Sequence, residues 1–175
     1  MLILHEGNIL DPVSVEEFKA HMRLEFDVDD DLIKGMLRSV TEMVETHLGL
    51  SLLEKVWILT AEPNSAGIVQ QELLMGPLIS IENVKGLSSS GQRIPIKRYR
   101  LNQINLRRPV FSCYSNMVIE IMYRSGFGST PKSIPSTICQ AILLIAASMY
   151  ENRTGEGQMP KIAVDLLKPY RQIWL

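Results

Sequence analysis

The spacing of apolar residues changes twice along the chain, and this change constrains the fold more than any other feature of the sequence. Between residues 32 and 48, apolar side chains recur at spacings of three and four, as on the buried face of a helix. From Leu53 to Tyr123, short segments rich in Val, Ile and Leu alternate with turn sequences such as residues 63–67, which indicates β-strands. After Pro135 the helical spacing returns.

This order predicts an α+β fold. We expect a mainly helical domain of about four helices, with a small, mainly antiparallel β-sheet inserted between the N-terminal and C-terminal helices. Residues 1–50 are predicted to be helical, residues 51–128 to form the β-rich insertion, and residues 129–175 to be helical. At 175 residues, 46% of them hydrophobic, a single domain can bury its core without a metal or a disulfide.

Capping residues predict where the first two helices begin and end. The sequence Ser14-x-x-Glu17 is a capping box, in which each side chain bonds the backbone amide of the other residue. The acidic turn 27–31 is placed to cap the second helix, because carboxylates favour the positive end of a helix dipole. Gly49 favours the left-handed conformation that ends such a helix.

The two cysteines and the N-terminus predict where the protein resides. Cys113 and Cys139 are too few for a disulfide framework and favour free thiols in a reducing cytoplasm, although a single bridge remains open. The first residues lack the basic region and long apolar run of a signal peptide. The apolar stretch 141–150 is too short to span a bilayer, so we expect a soluble intracellular protein with no membrane partner.

Charge is distributed unevenly although the net charge is only −1. Residues 1–50 are rich in acids, whereas residues 85–108 carry bases and no acid. Two solvated faces would explain this pattern. Alternatively, the two surfaces meet between neighbouring copies, and such head-to-tail contacts close into rings when the rotation permits. The candidate residues are Lys97, Arg98, Arg100, Arg107 and Arg108 on the basic side, and Glu16, Glu17, Asp29, Asp30 and Asp31 on the acidic side.

Motifs for catalysis are absent from the sequence. It has no phosphate-binding Gly-rich loop with Lys and Ser/Thr, no Gly-x-Ser-x-Gly and no His-Glu-x-x-His. His5, His21 and His47 have no paired spacing that would suit a metal. We therefore predict neither an enzyme nor a bound cofactor or metal.

The basic segment 97–100 also suggests contact with nucleic acid. Its bases and one aromatic residue could touch phosphates or stack on a base. A net charge of −1 is unusual for a dedicated DNA-binding protein, so a protein-facing role is the stronger interpretation.

Several segments, taken in order, resemble the head-tail connector (head-completion adaptor) family of tailed bacteriophages. Residues 13–23 resemble its first-helix pattern of a hydrophobic residue, Ser or Thr, and then Glu-Glu-x-Lys. The acidic turn 29–33 follows, and residues 44–49 resemble the end of the second helix. Residues 74–81 and 99–101 are similar to the middle strands.

The C-terminal part carries the longest stretch of this resemblance. Residues 123–128 precede Ile134-Pro135 and the helical stretch 140–146, and that helix ends on residues 150–153. The chain then continues to residues 166–171. The order and spacing of these pieces carry the resemblance, because each piece alone is short.

The resemblance implies a structural subunit of the virion neck in a bacteriophage or prophage. Such subunits form a ring of about twelve copies, docked on the portal protein, that extends the DNA channel and receives neck or tail-completion proteins. The whole chain would then be one connector domain, made in the bacterial cytoplasm and incorporated in the neck, with non-specific contact to packaged DNA. Another phage neck or tail-completion protein, or a stand-alone nucleic-acid-binding module, are the alternatives.

Overall fold

A computed structural model describes residues 1–7, 10–88, 90–102, 108–152 and 159–171. The chain forms two compact units, and each is built from two separate stretches of sequence. Unit 1 consists of residues 1–8 and 50–129, and unit 2 consists of residues 9–49 and 130–175.

Unit 2 is helical in the part that the structure describes. Its helices are α1 (Val15–Met22), α2 (Asp30–Leu48), α3 (Ser136–Glu151) and α4 (Lys161–Leu167). Helix α3 packs against α1, α2 and α4. The predicted stripe of α2 supplies part of the core, which includes Ile33, Leu37, Val40, Val44, Leu48, Ile138, Ile142 and Ile145.

The ends of α1 and α2 follow most of the sequence signals. Ser14 Oγ accepts a hydrogen bond from the Glu17 amide (3.1 Å), and Glu17 Oε2 accepts one from the Ser14 amide (2.8 Å), so the capping box is confirmed. Gly49 ends α2 in the left-handed conformation, with φ of 64°. Asp29 precedes α2, but its Oδ2 accepts a hydrogen bond from the Tyr150 hydroxyl (2.6 Å) instead of one from a helix amide.

Unit 1 contains two antiparallel sheets. The five-stranded sheet has the order β1-β2-β8-β4-β5, and the three-stranded sheet has the order β3-β7-β6. The strands are β1 (Leu2–Gly7), β2 (Lys55–Ala61), β3 (Ile68–Glu72), β4 (Leu78–Leu87), β5 (Arg93–Pro95), β6 (Arg100–Asn102), β7 (Val110–Tyr114) and β8 (Val118–Ser125).

The core of unit 1 lies between these two sheets. Strand β8 alternates buried and half-buried residues along its whole length, as a strand with one face on the core must. The buried cluster draws on both sheets and consists of Leu59, Ala61, Val69, Leu73, Val84, Phe111, Cys113, Ile119, Ile121 and Tyr123.

The predicted architecture is wrong in two respects. The described residues are 36% helix and 32% strand, so the protein is not mainly helical. The β-structure is not one small sheet inserted between helices, since β1 precedes α1 and pairs with β2, and the strands divide into two sheets. The fold is α+β, with the strands of residues 1–7 and 55–125 forming a two-sheet unit of their own.

Buried hydroxyl groups join backbone segments inside unit 1. Ser51 is fully buried, and its Oγ donates to the Met75 carbonyl (3.0 Å) and accepts from Trp57 Nε1 (3.0 Å). The Tyr123 hydroxyl donates to the Leu74 carbonyl (2.6 Å). Buried polar groups with such partners position the loop at residues 74–76 against the sheet.

The end of β8 is held by ion pairs and by a glycine. Arg124 donates to Glu54 (2.6 Å) and Glu82 (3.1 Å) from the neighbouring segments. Gly126 follows with φ of 136°, and a Cβ atom there would lie 2.6 Å from the Leu53 carbonyl oxygen. The chain therefore requires glycine at this strand exit.

Candidate interface site

The outer face of the three-stranded sheet is the most distinctive surface of unit 1. Because successive residues of a strand point to opposite faces, Phe111 and Cys113 of β7 face the core, whereas Ser112 and Tyr114 face outward. Ser112 pairs with Gln70 of β3 on one side and with Arg100 of β6 on the other. These outward residues line an open groove. We call it the arginine face, defined by Ile68, Gln70, Arg98, Arg100, Ser112 and Tyr114.

Two of the predicted basic residues lie on the arginine face. Arg98 and Arg100 are exposed, and both line the groove. Between them Tyr99 stacks on Phe111, with ring centroids 5.3 Å apart and ring planes at 29°. This stacking ties the segment to the core, so the two guanidinium groups extend from an anchored backbone.

The other predicted basic residues are placed differently. Lys97 is exposed just before the arginine face. Arg107 lies outside the described residues. Arg108 is only 9% exposed, and its Nη1 lies 3.9 Å from Glu72 Oε2. Within the chain, Arg108 therefore serves the packing of unit 1, since burying a guanidinium is costly without a nearby carboxylate.

Some of the predicted acidic residues bond neighbouring groups of the chain, and others are exposed to solvent. Glu17 belongs to the capping box, and Asp30 Oδ1 accepts a hydrogen bond from Lys19 Nζ (3.0 Å). The backbone amide of Glu16 and the Ser14 hydroxyl bond its carboxylate, which lowers the pKa of Glu16. Asp29 accepts from Tyr150, as described above. Glu16 and Asp31 are exposed to solvent.

Between α1 and α2, exposed acids alternate with exposed apolar side chains. Phe26 is 48% exposed, Val28 is 91% exposed and Leu32, in the first turn of α2, is 53% exposed. Glu25 and Asp31 on the same segment are also exposed. We call residues 25–32 the acidic-apolar loop. Large apolar side chains grouped on a short exposed segment are typical of contact sites.

Lys19 holds this loop in place. Its Nζ bonds the carboxylates of both Asp27 and Asp30, and the Asp30 amide donates to the Asp27 carbonyl (3.2 Å). These bonds raise the pKa of Lys19, with the Asp27 carboxylate as the main cause and Asp30 next. The loop is thus an ordered segment with protruding apolar side chains.

Sequence reasoning missed two parts of these surfaces. Tyr114, at 82% exposed, was outside the predicted strands, although the alternation of residues 110–114 matches a half-buried strand. The apolar members of the loop were also missed, because only its acids were considered. Leu32 was predicted to be the first residue of the apolar stripe of α2, but its side chain is exposed, and the buried stripe begins at Ile33.

Groups suited to catalysis are not brought together in the part of the chain that the structure describes. There, no three His, Cys, Asp or Glu side chains form a group that could hold a metal ion. Cys113 and Cys139 are free thiols, and burial raises the pKa of both, which makes them poor nucleophiles. None of the helices in the described ranges is long and apolar enough to cross a membrane.

Comparisons with known proteins identify relatives in sequence and in fold. Residues 12–85 match the family described as phage gp6-like head-tail connector protein. This segment runs from α1 through most of β4. No curated protein sequence matches the chain.

Three solved structures share the fold over the whole chain. A chain from the "neck of empty GTA particle computed with C6 symmetry" is 22% identical and has a TM-score of 0.84, covering 100% of this chain and 97% of its own. A chain from the "virion of native gene transfer agent (GTA) particle" is 23% identical, with the same TM-score and coverage. A third, from the "neck of native GTA particle computed with C12 symmetry", is 22% identical with a TM-score of 0.78, covering 99% and 97%. The resemblance to head-tail connector proteins is therefore confirmed by sequence over residues 12–85, and the fold of nearly the whole chain is shared with chains from gene transfer agent particles.

Proposed function

We propose that this protein is a structural subunit of the neck in a tailed phage or phage-like particle. The observation that carries the proposal is the joint match, in which the connector family covers residues 12–85 and neck chains share the complete fold. Because nearly the full length of each neck chain is covered, the likeness extends to both units.

The proposal extends to a ring of identical subunits between portal and tail. Structures of the similar chains were computed with C6 and C12 symmetry, which supports a cyclic arrangement of many copies. A cyclic ring needs two different surfaces on each subunit, since head-to-tail contacts are heterologous. Arg98 and Arg100 on one unit and the acids of residues 25–32 on the other provide surfaces of opposite charge.

A structural role without catalysis is also part of the proposal. The family and the neck structures support it, and Cys113 is buried and Cys139 half-buried, with the pKa of both thiols raised by burial. In this role, the subunits would assemble in the host cytoplasm, dock on the portal and present a platform to neck or tail-completion proteins. Packaged DNA would pass through the ring with non-specific contact only.

The test is to delete the gene in cells that produce the particle. We expect filled heads and free tails that do not join, seen by negative-stain electron microscopy, and restoration by the gene supplied in trans. Mass spectrometry of purified complemented particles should find the chain, and labelled antibody should bind at the neck. Particles that assemble normally without the gene, or label found on the capsid or the tail tip, would contradict the proposal.

Self-assembly of the purified chain is a second measurement. Light scattering over a wide range of concentration should give the mass of a large cyclic oligomer, or a monomer that enters rings once the portal is added. A tight dimer or tetramer whose mass is independent of concentration would count against a ring subunit.

A further inference from the structure

We propose that the arginine face of one copy binds the acidic-apolar loop of a second copy. This inference rests on the proposed function and specifies which two surfaces form the contact between neighbouring subunits. The occupant of the groove is thus residues 25–32 of an identical chain.

The groove has the chemistry of a site for a mixed acidic and apolar segment. Arg98 and Arg100 supply two exposed cations on one side, and Tyr114, at 82% exposed, supplies an aromatic surface on the other. Ser112, next to Tyr114 on the outward face of β7, lies between Arg100 of β6 and Gln70 of β3, and both Ser112 and Gln70 can bond a peptide backbone. Tyrosine and arginine together are the residues that most often dominate binding at protein interfaces.

The loop carries the complementary groups in alternating order. Glu25 and Asp31 are exposed carboxylates, and Phe26, Val28 and Leu32 are exposed apolar side chains. When a partner covers exposed apolar side chains of this size, their removal from water favours binding. Carboxylates are opposite in charge to guanidinium groups, and their planar geometry allows paired hydrogen bonds.

The preorganisation of both surfaces favours this pairing. The Tyr99–Phe111 stack anchors the backbone that carries the two arginines, and Lys19 bonds the loop through Asp27 and Asp30. Surfaces that are ordered before contact lose less conformational entropy on binding. Each copy also carries both surfaces, so the contact repeats from copy to copy without a second protein.

DNA is the competing occupant, and the charges on this face favour protein. The net charge of the chain is −1, and two bases, Arg98 and Arg100, line the groove. A dedicated phosphate-binding surface would be expected to carry a larger excess of bases.

Photo-cross-linking in assembled particles tests the contact directly. A benzoyl-phenylalanine replaces Val28, chosen because its side chain is largely in solvent, and the variant is supplied in trans to the deletion strain in isotopically labelled and unlabelled copies. After irradiation, we expect cross-links between labelled and unlabelled chains that map to residues 98–100 or 112–114. The same photo-reactive residue at Ile162, which is 60% exposed on α4, is the control and should not map there.

Charge reversal provides the matching energetic test. Arg98→Glu with Arg100→Glu, and separately Glu25→Lys with Asp31→Lys, should each reduce the copies incorporated per particle at least tenfold. The chain with all four substitutions should recover most of that loss, because opposite charges again meet at each contact. Lys132→Glu with Lys161→Glu, both exposed lysines of unit 2, is the matched control and should incorporate normally.

The outcomes separate this inference from the proposed function. If the photo-reactive chain enters the necks but cross-links to other parts of its own sequence, to a different protein or to DNA, the surface pairing is overturned and the neck function stands. If the chain with all four substitutions does not recover its incorporation, while circular dichroism shows a native fold, the surface pairing is overturned as well. Absence of the wild-type chain from particle necks refutes the proposed function itself.

Discussion

Replacing Tyr123 with Phe removes one buried hydroxyl group and leaves the shape of the core unchanged. The Tyr123 side chain is fully buried, and its hydroxyl donates to the Leu74 carbonyl at 2.6 Å. An intramolecular hydrogen bond contributes about 0.5–1.5 kcal/mol, and a buried carbonyl left without its donor costs about 1–3 kcal/mol. Leu74 is half-buried, so we expect a loss near the middle of these ranges, about 1–2 kcal/mol.

Urea unfolding followed by tryptophan fluorescence measures this loss of stability in unit 1, which contains Tyr123. The chain has two tryptophans, and Trp174→Phe leaves Trp57 of β2 as the reporter for unit 1. The midpoint should decrease while the slope of the transition stays constant, because the surface exposed on unfolding does not change. In a thermal scan, about 1 kcal/mol corresponds to roughly 2–4 °C in a chain of this size.

Tyr114→Phe is the matched control for this prediction. It removes the same hydroxyl group from a side chain that is 82% exposed, and the free energy of unfolding should change by less than about 0.5 kcal/mol. Equal effects of the two substitutions, or no effect at Tyr123, would refute the assignment of this hydrogen bond as a stabilising contact of the core.

Three further predictions concern the backbone, a helix cap and pH. Gly126→Ala should destabilise the protein by more than about 1 kcal/mol in urea unfolding, because its φ is positive and its Cβ would meet the Leu53 carbonyl. Ser14→Ala should cost about 0.5–2 kcal/mol by the same assay, since the amide of Glu17 loses its acceptor. The folded pKa of Glu82 is depressed below its ordinary value of 4.5, chiefly by the serine hydroxyl of its own strand and then by arginine. The contribution of the Glu82 carboxylate to stability is therefore complete above about pH 4.5 and is lost as the pH falls through its pKa in the folded protein. Thermal melts at pH 3–6 should show this loss.

Each of these has a matched control. Gly35→Ala, in a helical position with open space around it, should stabilise the protein by about 0.5–1 kcal/mol. Ser14→Asp keeps a capping oxygen and should preserve stability. Glu82→Gln should flatten part of the pH dependence. A destabilising Gly35→Ala, an equal loss with Ser14→Asp, or an unchanged pH profile in Glu82→Gln would each contradict the corresponding reasoning.

Local signals in the sequence predicted elements whose burial and ends are decided locally. Helix α2 combines a complete apolar stripe with Gly49 as its end, and the capping box marks the beginning of α1. Strand β1 was missed because most of its side chains are exposed, so its residues show no buried alternation. Its partner is β2, far along the chain, and only long-range pairing reveals it.

The same distinction applies to the candidate site. A run of bases without acids marked Arg98 and Arg100 as candidate residues of a subunit interface or of the channel; both are exposed, and their role in a contact stays a prediction. Arg108 belongs to the same run but is buried beside Glu72. It comes just before β7, and the pairing of β7 with β3 brings it close to this glutamate. The alternation of residues 110–114 indicates a half-buried strand, and the pairing of β7 with β3 shows Tyr114 on its outward face.

The pairing of β1 with β2 has a consequence for synthesis on the ribosome. At the usual rates of translation, residues 2–7 emerge roughly 2–10 s before their partner strand can leave the exit tunnel. During that interval β1 is an apolar strand without a neighbour, while helices α1 and α2 are already free to form. The five-stranded sheet therefore forms only after the segment containing α1 and α2 has been synthesised, and slow-translating codons before residue 55 would prolong the exposure of an unpaired strand.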